Sequence, residues 1–258
     1  MRRLLITMRY DGTRYHGWQV QPNGITVQQV FQDAVERITG VRAGVTGCSR
    51  TDAGVHADMF CCTFDTDSAM TEKRMIAALN ACLPEDIGVY GCREVRPDFH
   101  PRYSAAGKRY IYRIWNAPAR NPFWNGRALH YRQPLDEMAL NRAAAGFLGT
   151  HDFAALCAVG STVEDTVRTM TRCGVERQGD LLLLTAQADG FLYNMVRILA
   201  GTLLDMAAGR IPYDAAPSIL VGKDRAAAGK TAPPHGLYLD RVFYENLEDM
   251  DEFTEGRA

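Results

Sequence analysis

Gly47-Cys48-Ser49-Arg50-Thr51-Asp52-Ala53-Gly54-Val55-His56-Ala57 is the stretch on which the reading of the fold turns. A β-like approach around Gly44–Ser49 leads into Arg-Thr-Asp-Ala-Gly, and a second β segment follows over Ala57–Asp65. Asp52 therefore lies on a turn with a glycine two residues on. A carboxylate placed so is held by the scaffold and open to a cleft, where it can act as a nucleophile or as an acid or base. Aspartate also favours turns for a plain reason, since its side chain bonds nearby backbone. His56 alone reads as a hydrogen-bonded structural histidine.

Outward from this turn, α and β signals alternate. Arg3–Tyr10 reads as a strand, and Asp11-Gly12-Thr13 as a turn. Thr26 and Gln29 fit a capping box, Gly40 fits a stop, and Val27, Val30, Phe31, Ala34, Val35 and Ile38 form one apolar stripe between them. A helix is expected over Thr71–Cys82, a strand over Ile87–Val95, and another over Lys108–Trp115 with Tyr110, Tyr112 and Ile114 on one face. Pro134–Leu148 reads as a helix, Thr166–Glu176 and Leu181–Ala188 as a strand pair, and Phe191–Ala208 as a long helix. A helix near Tyr213–Val221 and a strand near Gly236–Tyr244 close the chain. The expected class is α+β: two similar α/β lobes with mainly antiparallel sheets flanked by helices. The first lobe is residues 1–104 and carries Asp52; the second is residues 105–244; residues 245–258 form a flexible acidic tail.

The chain has 258 residues, 47% hydrophobic and 23% charged, which suits globular lobes with real cores and excludes disordered and fibrous classes. No apolar run is long enough to span a membrane, and the stretch behind Arg2-Arg3 is too short for a signal peptide. Seven cysteines, odd in number and without a C-x-x-C pair, fit reduced thiols in a cytoplasmic protein better than disulfides or zinc.

The net charge of −1 argues against a nucleic-acid partner until the charges are placed. The segment Glu245–Ala258 carries −5, so residues 1–244 carry +4. Between Arg93 and Arg132, nine basic residues face two acidic ones, and eight aromatics lie among them. Cations neutralise phosphates and aromatic faces stack unpaired bases, so this interleaving suits RNA. It equally suits a solvated basic face over an aromatic core. Other signals fail. Asp224–Thr231 ends like a P-loop, but Asp224 stands where the first glycine belongs and would repel phosphate. No dinucleotide fingerprint, zinc-protease helix or nucleophile elbow occurs.

The block Arg50-Thr51-Asp52-Ala53-Gly54-Val55-His56-Ala57, preceded by Tyr10-Asp11-Gly12 and Tyr15-His16-Gly17-Trp18-Gln19, resembles the tRNA pseudouridine synthase A family. Further blocks follow in family order: Phe99–Ala105, Lys108–Tyr112, Gly149–Phe153, Thr166–Thr169, Asp189–Arg197 and Ala232–Leu239. The resemblance implies the pseudouridine synthase fold, with an active-site cleft between lobes. It implies that Asp52 is the catalytic aspartate, that Tyr110 stacks on the target uracil and can accept its C5 proton, and that Arg197 pairs with Asp52. Arg50, Arg102, Lys108, Arg109, Tyr112 and Arg168 are the expected substrate contacts.

The implied reaction converts uridine to pseudouridine at positions 38, 39 and 40 of the tRNA anticodon stem-loop, on a homodimer that grasps the tRNA. The N1–C1′ bond breaks, uracil rotates, and C5–C1′ forms. Asp52 either attacks covalently or takes the C2′ proton. No cofactor, nucleotide, metal or membrane is expected to take part. A catalytically silent tRNA-binding protein is the alternative on the same fold, and a phosphate-utilising enzyme built on Asp224–Thr231 is the other class. Two departures stand out: Asp58-Met59-Phe60 after His56-Ala57, and Tyr193-Asn194 before Met195. Neither is expected to touch Asp52, Tyr110 or Arg197.

Overall fold

Strand β1 (Arg2–Tyr10) is buried along nearly its whole length because it is flanked on both sides. It pairs antiparallel with β3 (His56–Thr66) on one side and β4 (Ile87–Val95) on the other. The short β2 (Thr46–Gly47) pairs with β3 at Thr63 and Cys62. The computed structural model describes residues 1–161 and 163–245; the acidic segment beyond Glu245 lies outside them.

Helix α1 (Val27–Thr39) begins where the Thr26 hydroxyl accepts the Gln29 N–H and ends at Gly40, whose φ is +76°. Such a cap is worth about 1 kcal/mol. Its inner face buries Val27, Phe31, Ala34 and Val35, the larger of them worth about 1.5–3 kcal/mol each. Helix α2 (Glu72–Cys82) is capped by Thr71 and packs on β4.

A second group of strands begins with β5 (Gly107–Trp115), which alternates as expected, with Tyr110, Tyr112 and Ile114 all buried. β6 (Leu129–His130) pairs parallel with its end. Helix α3 (Glu137–Ala145) is shorter than Pro134–Leu148 because its cap is Asp136, whose carboxylate accepts the Ala139 N–H. β7 (Gly149–Asp152), β8 (Val167–Gln178) and β9 (Leu181–Ala188) complete the order β5-β9-β8-β7. β8 turns into β9 through Gly179-Asp180, with φ +62° at the glycine.

Helix α4 (Met195–Ala207) is buried along most of its length. It starts four residues later than its apolar stripe suggests, because Asn194 is left-handed at φ +60° and breaks the helix geometry. Asparagine tolerates that conformation better than most residues. Helix α5 (Ala216–Gly222) follows.

The last strand, β10 (Leu237–Phe243), corrects the expected boundary. Among the described residues, the chain divides into Gly107–Tyr238 and a unit made of Met1–Ala106 with residues 239–245. The end of the chain returns to the first unit because β10 lies beside β3, the Ala106 N–H donates to the Phe243 carbonyl, and the Tyr244 hydroxyl donates to the Pro101 carbonyl. Residues 105–106 and 239–244 therefore belong with the first unit, and the second is Gly107–Tyr238. Both units are α+β, with mainly antiparallel strands flanked by helices.

Candidate active site

The turn around Asp52 closes when its own carbonyl accepts the Val55 N–H at 3.1 Å, and Gly54 supplies the left-handed residue at φ +76°. Asp52 is half-buried, while Thr51, Val55 and His56 around it are buried. Its carboxylate is thus reachable on a turn whose flanks are fixed.

The fixing comes from the N-terminal block. The Tyr10 hydroxyl and the Thr51 hydroxyl lie 2.8 Å apart in a buried hydrogen bond. The Trp18 N–H donates to the Thr51 carbonyl at 3.1 Å, and the Gly54 N–H donates to the Tyr15 carbonyl at 3.2 Å. The Gly12 N–H donates to His56 Nδ1 at 3.0 Å. Asp11 Oδ1 is 3.2 Å from the same nitrogen, but it already accepts from the Thr13 N–H and hydroxyl. We therefore assign Nδ1 as the acceptor and place the His56 proton on Nε2. Two glycines complete the fit. A Cβ at Gly12 would run into the Val55 carbonyl, and one at Gly17 into the Thr51 carbonyl. These five residues (Tyr10, Gly12, Tyr15, Gly17 and Trp18) position the turn, and the sequence reading assigned none of them that work. Their signal was a pair of glycines five residues apart in a segment otherwise rich in aromatics.

Arg50 and Arg102 are exposed and line one cavity of the first unit beside the turn.

In the second unit, Tyr110 is 7% exposed and meets the Phe191 ring edge-on, with centroids 5.0 Å apart. Arg197 sits on the first turn of α4. Its Nε donates to the Ala232 carbonyl at 2.8 Å and one terminal nitrogen donates to Asn194 Oδ1 at 2.7 Å. The Ala232 N–H returns a bond to the Arg197 carbonyl. Asn194 thus touches Arg197, contrary to the expectation that the Tyr193-Asn194 departure stays clear of the site. The guanidinium also acts on His235. Burial and then repulsion from Arg197 hold that imidazole below its ordinary 6.5.

The stretch Asp224–Thr231 is a packing loop. Gly229 N–H donates to the Thr202 hydroxyl, Lys230 N–H donates to Asp205, and the Arg225 guanidinium closes on the Gly229 carbonyl and the Thr231 hydroxyl. A Cβ at Gly201 would strike the Lys230 carbonyl. The loop seats on α4 and presents Ala232 to Arg197.

Other expected contacts sort by burial. Tyr112 is fully buried and its hydroxyl donates to the Pro233 carbonyl at 2.8 Å. It has no face for a ligand, so the expected substrate contact there is corrected to a core role. Lys108 and Arg109 are half-exposed on β5. Arg168 folds back on its own turn, donating to the Asp165 and Val167 carbonyls. Of the eight aromatics between residues 93 and 132, Tyr103 and Phe123 are strongly exposed, Tyr110 keeps a small exposed part beside Phe191, and Tyr112 is core.

The family model for tRNA pseudouridine synthase matches residues 6–104 and 143–245. A tRNA pseudouridine synthase A from Ruminiclostridium cellulolyticum is 44% identical over 245 residues, covering 95% of this chain and all of the relative. One from Shouchella clausii is 46% identical, covering 95% of this chain and 94% of the relative. One from a Thermoanaerobacter species is 43% identical over 244 residues.

Proposed function

This chain belongs to the tRNA pseudouridine synthase family, and from that membership we propose that Asp52 is the catalytic carboxylate of an isomerase acting on the anticodon stem-loop of tRNA. The reaction converts uridine to pseudouridine. The N1–C1′ bond breaks, the uracil turns, C5 bonds to C1′, the C5 proton leaves and N1 gains one. Asp52 has two uses in this scheme: attack on base or sugar, or removal of the C2′ proton.

The observation that supports the reading best is the clamped turn. Four hydrogen bonds from the N-terminal block, with the close fit at Gly12 and Gly17, hold the turn that carries half-buried Asp52, and a catalytic group displaced by about 1 Å can lose about a hundredfold in rate. Arg197 is the proposed charge partner that keeps Asp52 ionised and oriented, since an adjacent cation favours the carboxylate. Tyr110 is the proposed stacking face for uracil, with Phe191 set edge-on to its ring. Arg50, Arg102, Lys108 and Arg109 are proposed RNA contacts. A flipped base costs a few kcal/mol of stacking, which such contacts offset. Positions 38, 39 and 40, a homodimer and a cytoplasmic location belong to the same proposal. The seven free cysteines are in keeping with the last of these. Among the described residues no helix is long and apolar enough to cross a membrane.

The test is tritium release from tRNA labelled at uridine C5. Asp52→Asn should abolish release while leaving tRNA binding in place. Turnover by that variant at the wild-type rate would remove Asp52 from the chemistry.

A further inference from the structure

We infer that the cavity between Arg50, Arg102 and Tyr103 is a second nucleotide subsite, which takes the nucleotide directly beside the target uridine in the RNA strand. The inference rests on the function proposed above and names a contact outside the reacting uridine. The two arginines hold the phosphate and the Tyr103 ring stacks the base.

The cavity measures about 220 Å³ and lies wholly in the first unit. Trp18, Gln28 and Gly47 help to line it, and no described carboxylate does. Trp18 is the residue whose N–H holds the Thr51 carbonyl. Arg50 is two residues before Asp52, which limits their Cα separation to about 7 Å. The cavity is therefore close enough to Asp52 to take the nucleotide beside one held there.

The charges here are uncommitted. Arg2, Arg3, Arg14 and Arg42 in the same unit each sit on a carboxylate. Arg50 and Arg102 have no ion-pair partner among the described residues. Two unpaired guanidiniums on one cavity without acids attract an anion, and phosphate matches their planar donors.

The ring is displayed and already ordered. Tyr103 is 78% exposed, which folding alone does not favour for so large a ring. Its turn locks itself. His100 Nδ1 accepts the N–H groups of Arg102 and Tyr103 at 3.2 and 3.3 Å. The Ser104 N–H donates to the His100 carbonyl, and the His100 N–H donates to the Ser104 hydroxyl. The His100 ring packs beside Tyr103 at 4.4 Å, and the Arg102 guanidinium lies 5.8 Å from the Tyr103 centroid. A platform ordered in advance loses little freedom on binding. A cation beside an aromatic face is the pairing that single-stranded RNA sites use.

The experiment measures kcat/KM for tritium release from anticodon stem-loop RNAs. The base next to the target uridine is removed on its 5′ side in one RNA and on its 3′ side in another. With the wild-type chain, loss of the stacked base should lower kcat/KM on the order of tenfold on one side. Tyr103→Ala should lower it similarly on intact RNA, and Tyr103→Phe should retain activity. Tyr103→Ala combined with the abasic RNA should show no further loss, because both remove one contact. Arg102→Gln should reduce the slope of log affinity against log salt by about one. The subsite is overturned if the two losses multiply at both neighbours, or if Tyr103→Ala is as active as wild type. A wild-type chain that releases no tritium would instead overturn the proposed function.

Discussion

The Tyr10 and Thr51 hydroxyls meet at 2.8 Å across 41 residues of chain, and this buried bond ties the end of β1 to the residue before Asp52. The β1–β3 ladder shifts register between Met8 and Tyr10, just where the phenol is delivered. Tyr10→Phe leaves the Thr51 hydroxyl buried without its partner and should cost about 1–3 kcal/mol in urea unfolding. Thr51→Val in the same chain should restore part of that stability without restoring the rate of pseudouridine formation. Equal activity in Tyr10→Phe and wild type would show that this tie does not position the turn.

Gly17 and Gly40 separate backbone strain from collision. Both have positive φ, +84° and +76°. A Cβ at Gly40 meets nothing within 4 Å, whereas one at Gly17 meets the Thr51 carbonyl. Gly40→Ala should lower the melting temperature by the equivalent of about 1 kcal/mol and leave kcat unchanged. Gly17→Ala should lower kcat by more than tenfold, since the turn must move. Comparable kcat values for the two variants would count against the clamp.

His235 reports on Arg197. Burial first and the Arg197 cation second hold its pKa below 6.5. Arg197→Gln should raise that pKa while leaving it below 6.5, readable by NMR titration of the imidazole. The linkage has a definite sign. The unfolded chain protonates this histidine at higher pH than the folded one, so its contribution to stability falls as pH drops below 6.5 and levels off once the folded histidine is protonated. A histidine pKa unmoved by Arg197→Gln would contradict the repulsion.

Residues 245–258 carry the negative charge that masks the basic body. Cutting the chain after Tyr244 keeps the bond from its hydroxyl to Pro101. Binding to tRNA should be unchanged or slightly tighter at low salt, because acidic residues repel phosphate. A clear loss of affinity in filter binding would place the segment in the working structure.

Local chemistry was legible and long-range chemistry was not. Thr26 and Gly40 bound α1 as their residue types require, because caps act within one turn. The Asp52 turn was equally plain from Asp and Gly spacing. The start of α4 was misread because Phe191 and Leu192 continue the apolar period, while the left-handed Asn194 interrupts only the backbone. Tyr110 and Tyr112 share one strand face, and nothing local distinguishes the ring that meets Phe191 from the one sealed in the core. The braces from Tyr10 through Trp18 join residues 33 to 44 positions apart, and hydrophobic periodicity carries no trace of them. The return of β10 to β3 spans far more.

That return sets a timetable for synthesis. Leu239–Phe243 is made after all of Gly107–Tyr238, yet it lies beside β3 in the unit that begins at Met1. Domains fold as units as they leave the ribosome, N-terminal first. Here the earlier unit must wait for its last strand with part of one β3 edge open, and an open edge invites pairing with another chain. The enclosed segment, Gly107–Tyr238, can settle first. The carboxylate-bearing half of the enzyme is therefore the last to be completed.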